Sequence, residues 1–579
     1  MIKRYFALLL LISSCNPKTN SSDFDFTTRY EKSEGTETDT YQNVINFYTE
    51  LAKSSPEVNI ESIGETDSGE PLHLVTYNPQ GKFGFEELQK EKTIILINNG
   101  IHPGESDGID ATMMLFRDLA QKDIKHPDNV VLATIPVYNI GGALNRNKAS
   151  RTNQNGPKEY GFRGNARNFD LNRDFIKSDT KNAQTFATIF HKVNPDIFID
   201  NHVSNGADYQ YILTHLFTQH NKLGGPLANY LHENFHPALE NELAKKEWDI
   251  TPYVNVFNRV PETGFSQFFD SPRYSTGYTT LWNTLGMMVE THMLKPYKQR
   301  VQGTYELMVS MIDIAERDHE KIKTLRKNTF EYYNQADRYP IQWEIDTTKT
   351  STLNFKGYEG KMIESDLTGQ KRLKYDRTKP FTKEVPYQDH FKAVKEVEIP
   401  KAYIIPQGWW DIINLMKINN IAMQPLEKDT TIAVQGYRIA SYKTRNSAYE
   451  GHYLHYNTTV SAQDEQVTFR KGDLLVKTDQ PGIRYLLETL EPEAVDSFFN
   501  WNFFDTVLQQ KEGFSPYVFE DIAKELLEKN LELAAAFQKK KEEDEKFAAN
   551  WYAQLDWIHK KSDHYEKAHL QYPVYRLME

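Results

Sequence analysis

The chain has 579 residues, with 68 Lys and Arg against 80 Asp and Glu, and a formal net charge of −12. This acidic balance gives no basic footprint for nucleic acid, so that class of partner is excluded. Hydrophobic residues (39%) and aromatic residues (13%) suffice for folded globular units, and the length exceeds one ordinary core, so we expect two or three domains.

The N-terminal segment is typical of an export signal. Lys3 and Arg4 form a positive region, and the apolar run 5–12 follows it. The sequence ISSC that ends at Cys15 resembles the lipobox of bacterial lipoproteins, in which the cysteine becomes the acylated first residue. Cys15 is the only cysteine in the sequence, which excludes an internal disulfide and a thiolate metal site.

These signals predict the organisation of the first 29 residues and the location of the protein. We expect residues 1–15 to be a lipoprotein signal peptide with its acylated Cys15, and residues 16–29 to be a polar tether. The protein is then exported and lipid-anchored to a bacterial membrane, in the periplasm or on the cell surface.

From residue 30 to residue 333 predicted strands alternate with predicted helices. This alternation predicts an α/β domain with a mixed, largely parallel sheet and flanking helices, in which ligands bind at the carboxyl ends of the strands. The predicted strands are 73–77, 93–98, 130–138, 196–201, 209–216 and 287–290. The predicted helices are 41–51, 108–119, 181–193, 226–246 and 298–333.

The composition changes after residue 333. Residues 339–480 contain alternating polar and apolar runs broken by Gly, Pro and Asp-Lys turns, which predicts a β-rich accessory domain. Residues 494–579 predict a helical C-terminal region, and its most regular stretch, 526–543, is amphipathic and highly charged.

The stretch 92–107, KTIILINNGIHPGESD, contains the first candidate metal ligands. Its β-branched and aliphatic run predicts a buried strand that ends in a turn with His102 and Glu105 three positions apart. Pro103 and Gly104 prevent a regular helix there, so the two side chains can converge on one ion, as a His/Glu zinc site requires. One such pair is expected by chance in a chain with 17 His, so the prediction depends on further ligands downstream.

A second buried strand ends in His202, with Asp200 two residues before it. A closely spaced His/Glu pair joined by a distant His from another strand end is a common construction of a His₂Glu zinc site, with the fourth position left to water. Asp200 is a candidate partner for the outer nitrogen of a ligand, although its side chain is equally able to point away from the metal.

The segment 161–175, GFRGNARNFDLNRDF, is unusually dense in Arg and Asn. Arg173 beside Asn172 offers donors suited to a planar carboxylate. The alternative is a structural arginine that pairs with Asp170 or Asp174, and the residues alone leave both interpretations open.

Four motifs occur in order along the chain: H-P-G-E at 102–105, D-L-N-R at 170–173, D-N-H at 200–202 and M-V-E at 288–290. Together they resemble the M14 family of zinc metallocarboxypeptidases, the carboxypeptidase A type, over about residues 41–297. The resemblance implies that residues 30–333 are a catalytic domain that binds one zinc ion. It implies that the zinc ligands are His102, Glu105 and His202. It also implies that Asn172 and Arg173 bind the free C-terminal carboxylate of a peptide and that Glu290 is the general base.

The chemistry of these residue types agrees with the resemblance. Zinc lowers the pKa of its bound water and polarises the scissile carbonyl, while a carboxylate takes the proton of the water and returns it to the leaving amine. Glu290 follows the apolar run GMMV, so its carboxylate is expected at a partly dry strand end where a raised pKa is favoured. The alternatives are a structural Glu290 that pairs with His292, and Glu262 as the base.

Two further roles follow from the resemblance. An arginine that steadies the oxyanion precedes the Asn-Arg pair in the family; we choose Arg151 over Arg146. A mobile tyrosine closes over the substrate; we choose Tyr274 over Tyr278. The chain departs from the family pattern at Asp174, where many members have Asn, and at H-P-G-E, which lacks the arginine of H-A-R-E and with it one subsidiary substrate contact.

The sequence therefore predicts a lipid-anchored, zinc-dependent carboxypeptidase. Its substrates would be peptide or protein C-termini outside the cytoplasm, and its lipid anchor would contact the membrane. One alternative is an amidohydrolase of the same superfamily that acts on cell-wall stem peptides or acyl-amino acids. Another is a catalytically silent surface binding lipoprotein.

Overall fold

The structure, a computed structural model, describes residues 24–579. The predicted signal peptide and Cys15 lie outside the described residues. The last residues of the predicted tether, 24–29, pack on the folded domain, because the ring of Phe26 lies 5.6 Å from that of Phe47 and Thr28 caps the first helix. Among the described residues, no helix combines the length and the apolar character needed to cross a bilayer.

A mixed sheet of eight strands forms the centre of the N-terminal region, in the order β1-β2-β4-β3-β5-β9-β6-β7. The four central strands β4, β3, β5 and β9 are parallel, whereas β1, β2 and β6 form antiparallel pairs. Every residue of β3 and β4 is buried. Parallel strands are covered on both faces, and for this reason their sequences are continuous apolar runs. The strands of this region are β1 (Val58–Glu65), β2 (Pro71–Tyr77), β3 (Thr93–Asn98), β4 (Val130–Ile135), β5 (Ile197–Ser204), β6 (Leu213–Phe217), β7 (Ile250–Pro252), β8 (Phe265–Ser266) and β9 (Leu285–His292).

Amphipathic helices flank this sheet. Threonines at 40 and 180 cap two of them by accepting a backbone N–H, which fixes where each helix begins. The helices are α1 (Arg29–Lys32), α2 (Tyr41–Ser54), α3 (Phe85–Glu91), α4 (Asp107–Gln121), α5 (Ile140–Leu144), α6 (Lys181–Val193), α7 (His220–Leu223), α8 (Gly225–Tyr230), α9 (His236–Lys245), α10 (Ser275–Thr280) and α11 (Tyr297–Asn334).

The predicted fold class is confirmed: the sheet is mixed, its centre is parallel, and β-rich sheets and C-terminal helices follow it. Strand β3 and helix α6 have the predicted bounds. The predicted helix 226–246 is divided into α8, a π-helical turn Leu231–Phe235 and α9. A regular α-helix would press the ring of Pro237 against the carbonyl of Glu233, and the wider turn occurs there.

The region after α11 contains further sheets. Strands β10 and β13 form a pair, β11 and β12 form a hairpin to which β8 adds, and the remaining strands form a six-stranded sheet. The strands are β10 (Arg338–Ile345), β11 (Ser351–Glu364), β12 (Lys371–Gln388), β13 (Phe391–Glu398), β14 (Ala402–Ile405), β15 (Gln424–Pro425), β16 (Thr430–Thr444), β17 (His455–Phe469), β18 (Leu474–Lys477) and β19 (Tyr575–Leu577). The helices are α12 (Trp410–Ile418), α13 (Ile483–Leu490), α14 (Pro516–Lys529), α15 (Leu531–Glu543), α16 (Glu545–Ala548) and α17 (Trp551–His559).

The predicted helical region 494–579 also contains the short strand β19, which pairs with β14 and β16. Three residues are too few for a detectable alternation, and the pairing partners lie more than 130 positions earlier, so the local sequence gives no signal for it.

One hydrophobic core extends from the N-terminal region into the region after α11. Arg484 of α13 is fully buried and donates to the carbonyl oxygens of Lys222, Leu223 and Thr280. The predicted domain limits at residues 333, 339, 480 and 494 therefore stay predictions, since packing alone does not separate the two regions.

A loop of the accessory region contacts the segment that carries Asn172 and Arg173. The backbone N–H of Asp170 donates to Glu450 at 2.9 Å, and His452 lies 2.7 Å from Asp179. Arg273 forms a buried pair with Asp496 at 2.7 Å. The accessory region thus supports the loop of residues 170–179 from outside.

Candidate active site

Three predicted ligands meet at the carboxyl ends of β3 and β5. His102 and Glu105 lie in the turn after β3, and His202 lies on β5. The Nδ1 atom of His102 is 3.2 Å from Glu105 Oε1, and that of His202 is 3.0 Å from Glu105 Oε2. All three residues are buried, with 3% of their surface exposed.

The geometry of this group fits zinc. The three residues offer ligand atoms that lie within 4.8 Å of one another. Each histidine Nδ1 is also close to the separation of about 3.3 Å from a Glu105 oxygen that tetrahedral bonds of about 2.0–2.1 Å imply. The outer nitrogens are held by carboxylates: His102 Nε2 lies 2.9 Å from Asp170 Oδ1 and His202 Nε2 lies 2.8 Å from Asp200 Oδ2. Because such contacts keep a proton on Nε2, Nδ1 is the nitrogen that each histidine would present to a metal.

The charges of the site also favour a bound cation. Burial alone would raise the pKa of Glu105, but the charges of His102 and Arg151 outweigh it and hold the pKa well below its usual range. Burial would lower the pKa of His202, but Asp200 and Glu105 raise it well above its usual value. A metal-free site therefore holds a proton on His202, and a metal ion would replace that proton.

Arg151 approaches the metal ligands through the space left by Gly104. Its Nη1 atom lies 2.9 Å from Glu105 Oε1. A Cβ atom on residue 104 would lie 2.5 Å from Arg151 Cδ and 3.0 Å from the carbonyl oxygen of Gly161. The absence of a side chain on Gly104 thus lets Arg151 reach Glu105.

Substituting Gly104 by alanine should destabilise the protein by about 1–3 kcal/mol, because the new methyl group overlaps the Arg151 side chain and a backbone carbonyl. Urea unfolding would measure the change. Gly408→Ala is the matched control, since a Cβ there meets no atom within 4 Å. Equal unfolding free energies for the two variants would contradict this packing argument.

Asn172 and Arg173 form a 3₁₀ turn, Leu171–Arg173, that Asp170 caps by accepting the N–H of Asn172. Ser275 N–H donates to Asn172 Oδ1 at 3.2 Å, which orients the amide. Arg173 Nη1 donates to the Asn172 carbonyl oxygen at 2.7 Å, and Nη2 comes no closer than 3.9 Å to Asp170 Oδ2. The guanidinium charge is therefore not neutralised by a close ion pair within the described residues, which favours the carboxylate-binding interpretation over the structural one.

The two candidate tyrosines lie in different places. Tyr274 lies under the Arg173 guanidinium, 4.5 Å from its carbon to the ring centroid, and contacts Phe268 edge-on. Tyr278 is fully buried and donates to Asn419, away from the pocket.

Arg146 and Glu262, the second candidates for the oxyanion arginine and for the base, do not face the metal ligands. Arg146 donates to the backbone carbonyl oxygens of Thr38, Asp39 and Glu159. Glu262 accepts a hydrogen bond from Lys383 at 2.6 Å. Both side chains are therefore engaged elsewhere in the fold.

Glu290 lies on β9 at the position paired with His202 of β5. Its side chain makes no hydrogen bond within the described residues, and that of the neighbouring His292 contacts the carbonyl oxygen of Ala207 at 2.9 Å. Burial, opposed by His202 and assisted by Glu105, raises the pKa of Glu290 to about 8. The carboxyl group therefore has no hydrogen-bond partner among the described residues and titrates near neutrality, as a proton-transfer group requires.

These residues line one cavity of about 630 Å³. It is lined by all eight residues chosen for the site, whereas Cys15 lies outside the described residues. Two lining residues that bear on the chemistry were not predicted. Arg163 pairs with Asp170 at 2.8 Å, with Nη1 3.4 Å from His102 Nδ1; it lies in the Arg-rich segment that drew attention to Arg173. Tyr253 follows β7, which is too short for a sequence signal.

Residues 44–198 match the zinc carboxypeptidase family, Peptidase_M14. The chain is 22% identical over 454 residues to carboxypeptidase 2 of Trichophyton tonsurans, which covers 73% of this chain and 76% of that protein. A metallo-carboxypeptidase from Burkholderia cenocepacia shares 16% identity, with a TM-score of 0.38 over 48% of this chain and 70% of the other. Carboxypeptidase A from Helicoverpa armigera shares 13%, with a TM-score of 0.35 over 49% and 74%. The family match ends before His202, Tyr274 and Glu290, so the chain is similar to zinc carboxypeptidases in the segment that holds five of the eight candidate site residues: His102, Glu105, Arg151, Asn172 and Arg173.

Proposed function

We propose that this chain is a zinc-dependent carboxypeptidase that hydrolyses the C-terminal peptide bond of peptides. One observation carries the proposal: a His₂Glu ligand group, an unpaired carboxyl group and an arginine without a close partner line the same cavity. The similarity to carboxypeptidases supports it.

The residues that would hold zinc are His102, Glu105 and His202. When bound, zinc supplies Lewis-acid polarisation of the scissile carbonyl and acidifies a water molecule. Glu290 accepts a proton from the attacking water on a carboxylate oxygen and returns it to the nitrogen of the departing residue. A cation beside Glu290 favours its ionised form, which is the form that accepts the proton.

Residues in another part of the cavity would orient the substrate. Arg173 and the amide of Asn172 would bind the terminal carboxylate by charge-assisted hydrogen bonds, and Tyr274 would cover it. Arg151 and Arg163 lie beside Glu105, where their positive charge would stabilise the oxyanion that develops on the scissile carbonyl.

The activity is tested with paired peptides that end in a free acid or an amide, read by mass spectrometry with and without chelator. Stepwise loss of single residues from the free-acid peptides, abolished by chelation, is the expected result. Bound zinc without cleavage would instead favour cell-wall stem peptides or acyl-amino acids as substrates. Absence of zinc binding would favour a surface binding lipoprotein.

Export and lipid anchoring through Cys15 are part of the proposal, supported by the lipobox-like sequence. Cys15→Ser should move the protein from the membrane fraction to the soluble fraction of bacterial cells, because the acylated residue is lost. Immunoblots of the two fractions measure this. Equal membrane retention of both forms would contradict the anchor.

Proton release on metal binding gives a pH-linked prediction. At pH 7 the metal-free protein holds a proton on most Glu290 carboxyls, because the pKa is about 8, and a bound cation should expel it. Zinc titration calorimetry in buffers of different ionisation enthalpy counts the protons. Glu290→Gln should release about one proton fewer than wild type at pH 7, and the difference should vanish above about pH 9. Equal counts at pH 7 would exclude a protonated Glu290.

A further inference from the structure

A second group of potential metal ligands lies apart from the proposed active site. His215 is on β6, and His236 and Glu240 are on α9. In β6 the neighbours of His215, Thr214 and Leu216, share the face that carries the Glu290 cavity. Because successive strand residues point to opposite faces, His215 points away from that cavity and toward a different one.

The ligand atoms of this group converge on one point. His236 Nε2 lies 2.9 Å from His215 Nε2 and 3.1 Å from Glu240 Oε1, and His215 Nε2 lies 3.7 Å from the same oxygen. Tetrahedral bonds of about 2.0–2.1 Å imply separations of about 3.3 Å. The three observed distances bracket this value.

Hydrogen bonding alone does not satisfy this arrangement. A neutral His236 carries at most one proton on Nε2, and that proton faces two acceptors, His215 Nε2 and Glu240 Oε1. If the proton lies on His215 instead, the Glu240 carboxylate faces a lone pair of His236. One cation bound by the three atoms removes the conflict at Nε2.

Two of the three ligands, His236 and Glu240, lie on one helix. The segment HENFHPALE puts His232, His236 and Glu240 at intervals of four, and the π turn Leu231–Phe235 precedes His236. π turns occur frequently at functional sites. A cavity of about 40 Å³ opens beside His215 and His236, enough space for water at a remaining coordination position.

Three further histidines, His220, His232 and His390, lie at the same cavity or beside it. The rings of His220 and His232 are stacked at 4.1 Å with an interplanar angle of 20°. The ligand atoms of the three histidines also lie within 4.8 Å of one another, but stacked rings place their in-plane lone pairs side by side and not toward a common point. A substitution in this histidine group is therefore the control for substitutions in the proposed ligand group.

We propose that His215, His236 and Glu240 bind a second divalent transition-metal ion, in addition to the ion of the proposed active site. Zinc is the ion used to test this site. Imidazole and carboxylate ligands suit zinc and its first-row neighbours. The ion would join α9 to β6. Since Thr214 of β6 donates to the backbone oxygen of Glu290 at 2.8 Å, this second ion would stabilise a strand that borders the active site.

The test counts zinc in the untagged full chain after chelation, reloading with zinc and removal of excess, by mass spectrometry of the elements. Wild type should hold about two ions per chain, and His236→Gln and Glu240→Gln about one each. His202→Gln should also hold about one, and the double variant of His202 and His236 none. His220→Gln is the control and should keep both ions.

The two proposals fail separately. Loss of an ion in His202→Gln tests the active site alone, whereas loss in Glu240→Gln tests the second site alone. Glu240 has a side chain 40% exposed, so its variant should fold even if the buried surroundings of His236 do not tolerate glutamine. Unchanged zinc content in Glu240→Gln, or a single ion in wild type that only His202→Gln removes, would overturn the second site.

Discussion

Glu290→Gln should lower kcat by about 10³-fold while the protein keeps its zinc, because the variant loses the proton acceptor and none of the three ligands. Glutamine resembles the protonated carboxyl that Glu290 carries at neutral pH in the metal-free protein, so the fold should keep its stability. Steady-state kinetics on a free-acid peptide, with the zinc content and Tm of the same samples, measure all three quantities.

The matched control is Glu262→Gln. Glu262 lies between the motifs of His202 and Glu290 in sequence, but its carboxylate pairs with Lys383 at 2.6 Å and does not line the cavity. Its variant should retain the wild-type kcat. If the Glu262 variant lost activity and the Glu290 variant kept it, the assignment of the base would be wrong.

Arg173→Gln should lower kcat/KM for free-acid peptides by about 10²-fold. The variant loses charge-assisted hydrogen bonds to the terminal carboxylate, together about 3 kcal/mol. Residual cleavage should discriminate less between peptides that end in an acid and in an amide. The ratio of the two kcat/KM values is the measurement, because a general loss of activity would not change it.

Arg167→Gln controls for charge in the same loop. Arg167 is 53% exposed and packs over Phe169, outside the cavity. Its variant should keep the wild-type ratio of acid to amide cleavage. An unchanged ratio in Arg173→Gln would instead assign that arginine a structural role.

The sequence predicted those parts of the fold whose cause is local. Strand β3 and helix α6 have their predicted bounds because an uninterrupted apolar run and a threonine cap determine them. Strand β7 and strand β19 have three residues each, and their existence depends on partners far away in the chain. No local pattern could reveal them.

The same distinction applies to the site. The turn after β3 predicted a His/Glu pair, because Pro103 and Gly104 limit its backbone. Arg163 and Tyr253 were missed, since only the packing of separate loops brings them to the cavity. Arg151 was chosen over Arg146 as the arginine nearer in sequence to Asn172 and Arg173. No sequence pattern shows that the absence of a side chain on Gly104 gives Arg151 room beside Glu105.

The contact between Glu450 and Asp170 makes the candidate site depend on the accessory region. Asp170 both caps the turn of Asn172 and orients His102, and its own N–H is held by a residue 280 positions later. A fragment that stops at the end of α11 would keep every proposed catalytic group and lose this support. The proposed recognition of a peptide C-terminus is thus expected to depend on the accessory region as well as on the N-terminal region. Exchanging the accessory region for that of a relative should alter substrate choice while all three proposed metal ligands stay unchanged.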